Sequence, residues 1–437
     1  MAMAGSAIGL GNIWRFPYMV GEHGGAAFII VYLLATVFLS LPIFLSESVI
    51  GRRTHLGPFG ALEKLAPGTK WKYMGLLTIS SALILLSFYS VVGGWSVEYF
   101  LKSLTLSFSR SDASSVPAVF GAFISRPFMP LVCHTVFLLL TALIVGFGVK
   151  KGIENFSKVT MPLLFVLIVV IMVYSMFLPG AMKGVTYLVK PDFSKITVQT
   201  VAYAMGQSFF SLSLGVGTIL TYSSHISKSE NLMGSAIGTA ISDVAFAVLA
   251  GFAVMPAVFS AGIAPGAGPG LIFETLPYIF AKMGETSPVI SSAVAILFFL
   301  TILVAALTSS ISMLETGVTY LVEQKGMRRW RAVGVLFLVT WSLGALCSLS
   351  FGPLKDFHIF GCTIFDFCDK ITANFLMTGG GFLFTLFAGW KLSKAELRDE
   401  LTSGGQHKPR LFGLTVFLIR YVAPLVIITI FLTNLFL

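Results

Sequence analysis

Residues 1–28 read MAMAGSAIGLGNIWRFPYMVGEHGGAAF, a stretch long and apolar enough to cross a membrane, interrupted in its middle by Gly5, Gly9, Gly11 and Asn12 and followed by Arg15 and Pro17. A helix that only crosses lipid has no use for this pattern. Glycine costs roughly 1 kcal/mol per helical position against alanine, and a backbone group left unpaired in hydrocarbon costs several times that. The break is tolerable where something other than lipid satisfies the freed carbonyls. Broken helices at mid-membrane depth are where secondary transporters hold ions and substrates.

The rest of the 437-residue chain is of the same class, 56% hydrophobic and 11% charged, with a mean hydropathy of +0.89. Apolar runs of about 20 residues, the length that spans a bilayer, occur eleven times: roughly 2–24, 27–50, 74–101, 129–148, 153–178, 198–224, 234–260, 289–322, 331–351, 360–392 and 411–436. The stretch 262–285 carries Pro265, Pro269 and Pro277 among glycines. It is too interrupted to span and reads as a re-entrant or capping loop. The first span starts at the first residues, so a cytoplasmic segment is expected upstream of Met1. A signal peptide is not, since a basic n-region and a small-residue cleavage site are missing.

Basic residues orient the chain. Arg52, Arg53, Lys64, Lys70 and Lys72 follow span 2, Lys150 and Lys151 follow span 4, Lys325, Arg328, Arg329 and Arg331 follow span 8, and Lys391, Lys394, Arg398, Lys408 and Arg410 follow span 10. The positive-inside rule then puts the even loops and the N-terminus on the cytoplasmic side of the cell (inner) membrane. The net charge of +10 follows from this signal and from contact with anionic lipid, with no nucleic acid invoked. Cys133, Cys347, Cys362 and Cys368 lack C-x-x-C spacing and read as reduced, structural thiols. The histidines are scattered without metal-site spacing, which argues against an enzyme. The paired breaks described next predict an occluded central site and argue against a channel.

A second interruption lies in span 6, where SFFSLSLGVGTILTYSS (208–224) places Ser211, Ser213, Gly215 and Gly217 at mid-span. Glycine in membrane helices also serves close packing. Two breaks five spans apart, each beside hydroxyl or amide side chains, point instead to an inverted repeat built around a site. The expected organisation is repeat 1 over 1–178, an extracellular loop at 179–197, repeat 2 over 198–392, and a peripheral eleventh span at 411–437.

These residues carry a resemblance. GSAIGLGNIWRFPY (5–18), followed by EHGGAAF and Tyr32, resembles the first span of the neurotransmitter:sodium symporter family, and GQSFFSLSLGVG (206–217) resembles its sixth. ALTSSIS (306–312), the surroundings of Trp95 and the loop 262–285 match as well, so the resemblance covers residues 1 to about 401. Eleven spans and short loops are similar to the bacterial amino-acid branch. The resemblance implies an all-α polytopic membrane protein of the leucine-transporter fold, with eleven transmembrane helices: two inverted five-helix repeats plus one peripheral helix. It implies symport of an amino acid with Na+ by alternating access. A proton-coupled or exchanging amino-acid porter of the same fold is the alternative, and would lack the paired hydroxyls Thr308 and Ser309.

Na+ is a hard cation, and neutral hydroxyls and backbone carbonyls at an unwound turn suit it. By resemblance, one Na+ site takes the Ala7 carbonyl, the Asn12 amide oxygen, Ser211, Ser242 and the substrate carboxylate. A second takes the carbonyls of Gly5, Ile8 and Ala305 with the hydroxyls of Thr308 and Ser309, a pair that in isolation would simply bond back to its own helix. Where the family often has Asn, this chain has Ser242 followed by Asp243. An ionisable residue inside a span marks a functional site by default. Chloride-dependent relatives use Tyr, Gln and Ser side chains matched here by Tyr32, Gln207 and Ser211, so Asp243 is expected to replace chloride. Its position is offset from the acidic residue of the leucine transporter, where Phe246 stands here. Glu47 and Glu315 are expected to support the broken helices structurally.

Gly9 stands where monoamine-carrying relatives have an aspartate, so the substrate is expected to bring its own carboxylate. The broken helix ends around Ala7, Gly9, Gly11, Ser211 and Ser309 favour that carboxylate and the ammonium, and the Tyr89 hydroxyl is expected to bond the carboxylate. By resemblance, Leu85, Tyr89, Phe210, Ser213, Val216 and Met313 are expected to line the side-chain pocket. Val216, in place of a phenylalanine of the leucine transporter, and the adaptable Met313 widen it for hydrophobic and aromatic L-amino acids. Arg15 and Asp369 match the outer gate and Glu323 an inner acidic gate residue. His225, Trp14 and Trp95 read as structural or packing groups. In span 5, Gly152 and Pro162 resemble the family's spacing in a helix that unwinds to release Na+, since proline removes one backbone hydrogen bond.

Overall fold

The computed structural model describes residues 9–109, 112–148, 152–266, 268–407 and 411–436, and among them the chain is helical apart from one isolated bridge between Ile359 and Cys362. From Gly9 the described part of the first span runs through a π-helical turn, Gly11–Arg15, into α1 (Phe16–Glu22). There follow α2 (Ala26–Thr54), the short α3 (Pro58–Leu65), α4 (Lys72–Leu104), α5 (Pro117–Ile124), α6 (Met129–Phe147) and α7 (Gly152–Met176). The chain then bends by 116° into α8 (Ala181–Val189). The sixth span comes as two pieces, α9 (Val198–Ser211) and α10 (Thr218–Ser223). Next are α11 (Leu232–Ala261), α12 (Leu271–Thr286), α13 (Pro288–Lys325) and α14 (Arg329–Leu349). Last come α15 (Ile364–Lys391), α16 (Lys394–Leu401) and α17 (Phe412–Leu432).

Eight of these helices are long and apolar enough to cross a membrane. With α7 and the two interrupted spans they are consistent with the eleven crossings expected. The long α4 packs against α6, α13 and α14, and the broken spans pack against α2, α11 and α15. Helices gain no hydrophobic effect from one another in lipid, so they associate by close approach of small residues. At Gly94 of α4, an added Cβ would lie 2.6 Å from the backbone nitrogen of His134 in α6.

The stretch 262–285 holds a short 3-10 turn, Gly268–Gly270, and most of α12, which runs through Pro277. It is tied to the first span by the Trp14 indole, which donates to the Pro269 carbonyl at 2.7 Å. On the basic-loop side, α16 is pinned beneath α2. Arg52 pairs with Glu400 at 2.8 Å and also donates to the Glu400 and Glu230 carbonyls, while Arg53 pairs with Glu396 at 2.7 Å. Glu315 pairs with Arg329 through both carboxylate oxygens, at 3.1 and 2.5 Å. All four cysteines are free thiols.

Candidate functional site

The first break closes on itself through Asn12. The Gly9 amide donates to Asn12 Oδ1 at 3.1 Å and the Asn12 amide donates to the Gly9 carbonyl at 3.2 Å. The other end of the side chain, Nδ2, lies 3.0 Å from Ser211 Oγ, 3.0 Å from the Asp243 carbonyl and 2.7 Å from Asp243 Oδ1. Three acceptor oxygens from α9 and α11 therefore converge on one point beside the broken first span. Tyr32 donates to Asp243 Oδ2 at 3.1 Å, and Ser211 Oγ lies 2.8 Å from both carboxylate oxygens. Asn12 and Asp243 are fully buried. A carboxylate this deep persists only when hydrogen-bonded or paired, and here every neighbouring side chain donates to it.

The second break owes its shape to residues 213–217. Ser213, Gly215 and Gly217 have φ of 54°, 75° and 74°, left-handed values that stop a helix and that glycine adopts without steric cost. Gly215 is required twice over. A Cβ there would sit 2.0 Å from the Met377 carbonyl oxygen of α15. The freed amides are received by Glu47 of α2, whose carboxylate accepts from Gly215 N at 2.7 Å and from Leu220 N at 3.4 Å. The carboxylate faces the first turn of α10, where the helix dipole favours negative charge, so Glu47 holds the unwound segment open.

Around Gly9 lies a second convergence. A Cβ at Gly9 would meet Ser309 Oγ at 2.8 Å, the Ala305 carbonyl at 3.7 Å and the Tyr89 hydroxyl at 3.7 Å. Only glycine leaves that space. The Tyr89 hydroxyl is buried there, and its only polar neighbours among the described residues are the Ser309 hydroxyl and the Leu10 backbone. A Cβ at Gly11 would lie 3.2 Å from Cδ1 of the Phe210 ring. Leu85, Val216 and Met313 are buried as well. Thr308 bonds back to the Ala305 carbonyl at 2.8 Å, keeping its hydroxyl beside that oxygen.

Above Phe210 the outer pair is closed. Arg15 meets Asp369 through two contacts, Nε to Oδ1 at 3.1 Å and Nη2 to Oδ2 at 3.2 Å, with Tyr18 donating to Oδ2 at 3.3 Å. The guanidinium lies 4.8 Å from the Phe210 ring centroid and is 1% exposed, so the pair and the ring together seal the site on that side. Arg15 Nη1 also donates to Gln207 Oε1 at 2.6 Å, and Gln207 Nε2 donates to the Gly11 carbonyl at 3.1 Å.

One expectation is corrected. Ser242 is exposed on the outer side of α11, and Asp243 meets Asn12 and Ser211 in its place. Successive helical residues are about 100° apart in azimuth, so only one of the two can face the break. The offset from Phe246 does not separate Asp243 from the chloride-type cluster, since it touches Tyr32 and Ser211 directly. Gln207 is turned away from that cluster toward Arg15. The contacts of Gln207 with Arg15 and of Tyr18 with Asp369 have no signal in the sequence, since they join residues 192 and 351 positions apart. Gly5, Ala7 and Ile8 lie outside the described residues. Glu323 and His225 are exposed, and Glu323 makes no ion pair among the described residues. The helix α7 runs unbroken from Gly152 through Pro162.

The comparisons with known proteins agree with this geometry. The model of the sodium:neurotransmitter symporter family matches residues 1–116 and 128–437. An uncharacterized sodium-dependent transporter of Bacillus subtilis (strain 168), YhdH, is 40% identical over 433 residues, 99% of this chain and 95% of the relative. Another, of Haemophilus influenzae (strain ATCC 51907 / DSM 11121 / KW20 / Rd), is 35% identical over 100% of this chain and 96% of its own length. Among solved structures, the crystal structure of MhsT in complex with L-phenylalanine matches at a TM-score of 0.94 and 39% identity, covering 99% of this chain and 97% of that one.

Proposed function

The chain belongs to the sodium:neurotransmitter symporter family, and from that premise we propose that it takes up hydrophobic and aromatic L-amino acids across the cell membrane, coupled to Na+, by alternating access and independently of chloride. The observation that carries the reading is the convergence of Asp243 O, Asp243 Oδ1 and Ser211 Oγ on the Asn12 amide, within 2.7 to 3.0 Å. Several oxygens around one point, one of them a carboxylate, suit a hard monovalent cation. Rotation of the Asn12 amide presents its own oxygen to the same point, so Na+ as co-substrate replaces the NH2 group there. A second Na+ would sit between the carbonyls of Gly5, Ile8 and Ala305 and the hydroxyls of Thr308 and Ser309.

The amino acid would lie between the two breaks, its carboxylate on Tyr89 and the first Na+, its side chain among Leu85, Phe210, Ser213, Val216 and Met313. The buried Tyr89 hydroxyl and the space kept by Gly9 support this placement, and so does the L-phenylalanine held by MhsT. Arg15 and Asp369 would open to admit substrate, Glu323 would belong to the inner gate, and unwinding of α7 near Gly152 and Pro162 would release Na+ to the cytoplasm. The Asp243 carboxylate, already held by Tyr32 and Ser211, supplies the negative charge that bound chloride would bring.

Uptake of labelled L-phenylalanine into proteoliposomes tests the reading, with the Na+ and proton gradients imposed separately and gluconate substituted for chloride. Uptake is expected to follow the Na+ gradient alone and to be unchanged in gluconate. Uptake driven by a proton gradient without Na+ would establish the proton-coupled alternative, and a loss in gluconate would remove the role given to Asp243.

A further inference from the structure

The peripheral span α17 carries a cation that has no carboxylate partner among the described residues. Arg420 lies about two helical turns inside the span from Phe412. Among the described residues its guanidinium pairs with no carboxylate, and its Nε is buried without a hydrogen bond. The arginines Arg15, Arg52, Arg53 and Arg329 are by contrast each paired with an acid. The acids of the nearby α16 are already engaged, Glu396 by Arg53 and Asp399 by Lys228. A charge within a membrane crossing is costly and is retained with a partner.

The surroundings show what kind of partner. Two π-helical turns, Phe387–Lys391 of α15 and Leu418–Val422 of α17, meet at this point. Gly389 allows the approach, since a Cβ there would lie 3.1 Å from both Cα and Cγ of Arg420. The Trp390 indole donates to the Arg420 carbonyl at 2.9 Å, so the backbone and the stem are held and only the charged head lacks a partner. The crossing sets Arg420 level with Gly389, about half a turn before Lys391, which is exposed, as is Lys394. Beside it an aromatic group faces outward: Trp390, Tyr421 and Phe417 are 62%, 49% and 52% exposed, with Tyr421 ring centroids 5.5 Å from Trp390 and 5.7 Å from Phe417. Aromatic rings with lysines at the end of a span are the composition of the headgroup layer.

The geometry points to a binding site for the phosphate of an anionic phospholipid in the cytoplasmic leaflet, held by Arg420 and Lys391, with its acyl chains along Tyr421 and Leu425. The planar guanidinium fork matches a phosphate through two parallel hydrogen bonds, and basic sites between spans on the cytoplasmic side recognise anionic headgroups. The approach is over exposed aromatic and aliphatic side chains, which favours a phosphate attached to acyl chains over a soluble one.

Native mass spectrometry of the purified protein in detergent, titrated with phosphatidylglycerol or phosphatidylcholine, tests the site. Phosphatidylglycerol is expected to bind more tightly by about tenfold or more, the scale of one lost bidentate charged contact, and Arg420→Gln to abolish that preference while eluting as a single species. Should that variant not fold, Trp390→Phe keeps the charge but frees the Arg420 backbone, and is expected to lower the preference about threefold. Equal binding of the two lipids by the parent, or an undiminished preference in whichever variant folds, overturns the site. Displacement of the lipid by sn-glycerol 3-phosphate overturns its assignment to a lipid.

Discussion

Replacing Asp243 by Asn exchanges one oxygen for an NH2 group and removes the charge at the centre of the proposed first cation site. A carboxylate about 4 Å from a cation, at an effective dielectric of about 20, attracts it by about 4 kcal/mol. At about 1.4 kcal/mol per decade, that is as much as three orders of magnitude in Na+ affinity. The side chain's other partners soften the effect little. Tyr32 and Ser211 carry hydroxyls that rotate to accept from the new NH2 group, so the packing cost stays near 1 kcal/mol. Half-saturating Na+ for L-phenylalanine binding by the purified variant is therefore expected to rise by about thirtyfold to a thousandfold in gluconate. It is expected to recover in part in chloride, because an anion between Tyr32 and Ser211 restores the missing charge. The parent protein is expected to respond identically in the two salts. A variant whose Na+ requirement stays within about threefold of the parent in both media, less than 1 kcal/mol, would refute the placement of the cation beside Asp243.

Tyr89→Phe removes a buried hydroxyl whose only polar neighbours among the described residues are Ser309 and the Leu10 backbone, so the melting temperature is expected to change little while L-phenylalanine binding weakens by about 1.5–3 kcal/mol, the worth of a hydrogen bond to a charged group; a thermal melt beside a binding isotherm separates the two effects. Gly215→Ala forces a Cβ to 2.0 Å from the Met377 carbonyl at a φ of +75°, and a destabilisation of about 3 kcal/mol or more is expected to appear as a lowered melting temperature and a poor yield of folded protein.

Much of the site was legible because its chemistry is carried by residues whose local cost is visible in one dimension. Glycines and polar side chains in the middle of an apolar run are destabilising unless something repays them: Ser213, Gly215 and Gly217 stand at the break between α9 and α10, and Gly9 precedes the π-helical turn that holds Gly11 and Asn12. Arg15 and Asp369 are matched as a pair by resemblance, and the same cost argues that they meet. Arg15 and Asp369 lie in or beside apolar spans, where an unpaired charge is not sustainable.

Composition and hydropathy alone determined the membrane class, the approximate spans and the two helix breaks, because they follow from the cost of exposing backbone and charge to lipid, which each residue meets locally. Tertiary structure alone decided which neighbour faces the site. Ser242 and Asp243 are adjacent in an apolar run with little amphipathic bias, and only the packing of α11 against the first span turns Asp243 inward and Ser242 out. The same holds for Glu47, whose partners Gly215 and Leu220 lie in the unwound segment and second half of the sixth span, and for Arg420, whose lack of an acid among the described residues shows only once the nearby carboxylates are placed. Helix phase and long-range pairing depend on where the other helices lie, and that information is absent from any single stretch of the chain.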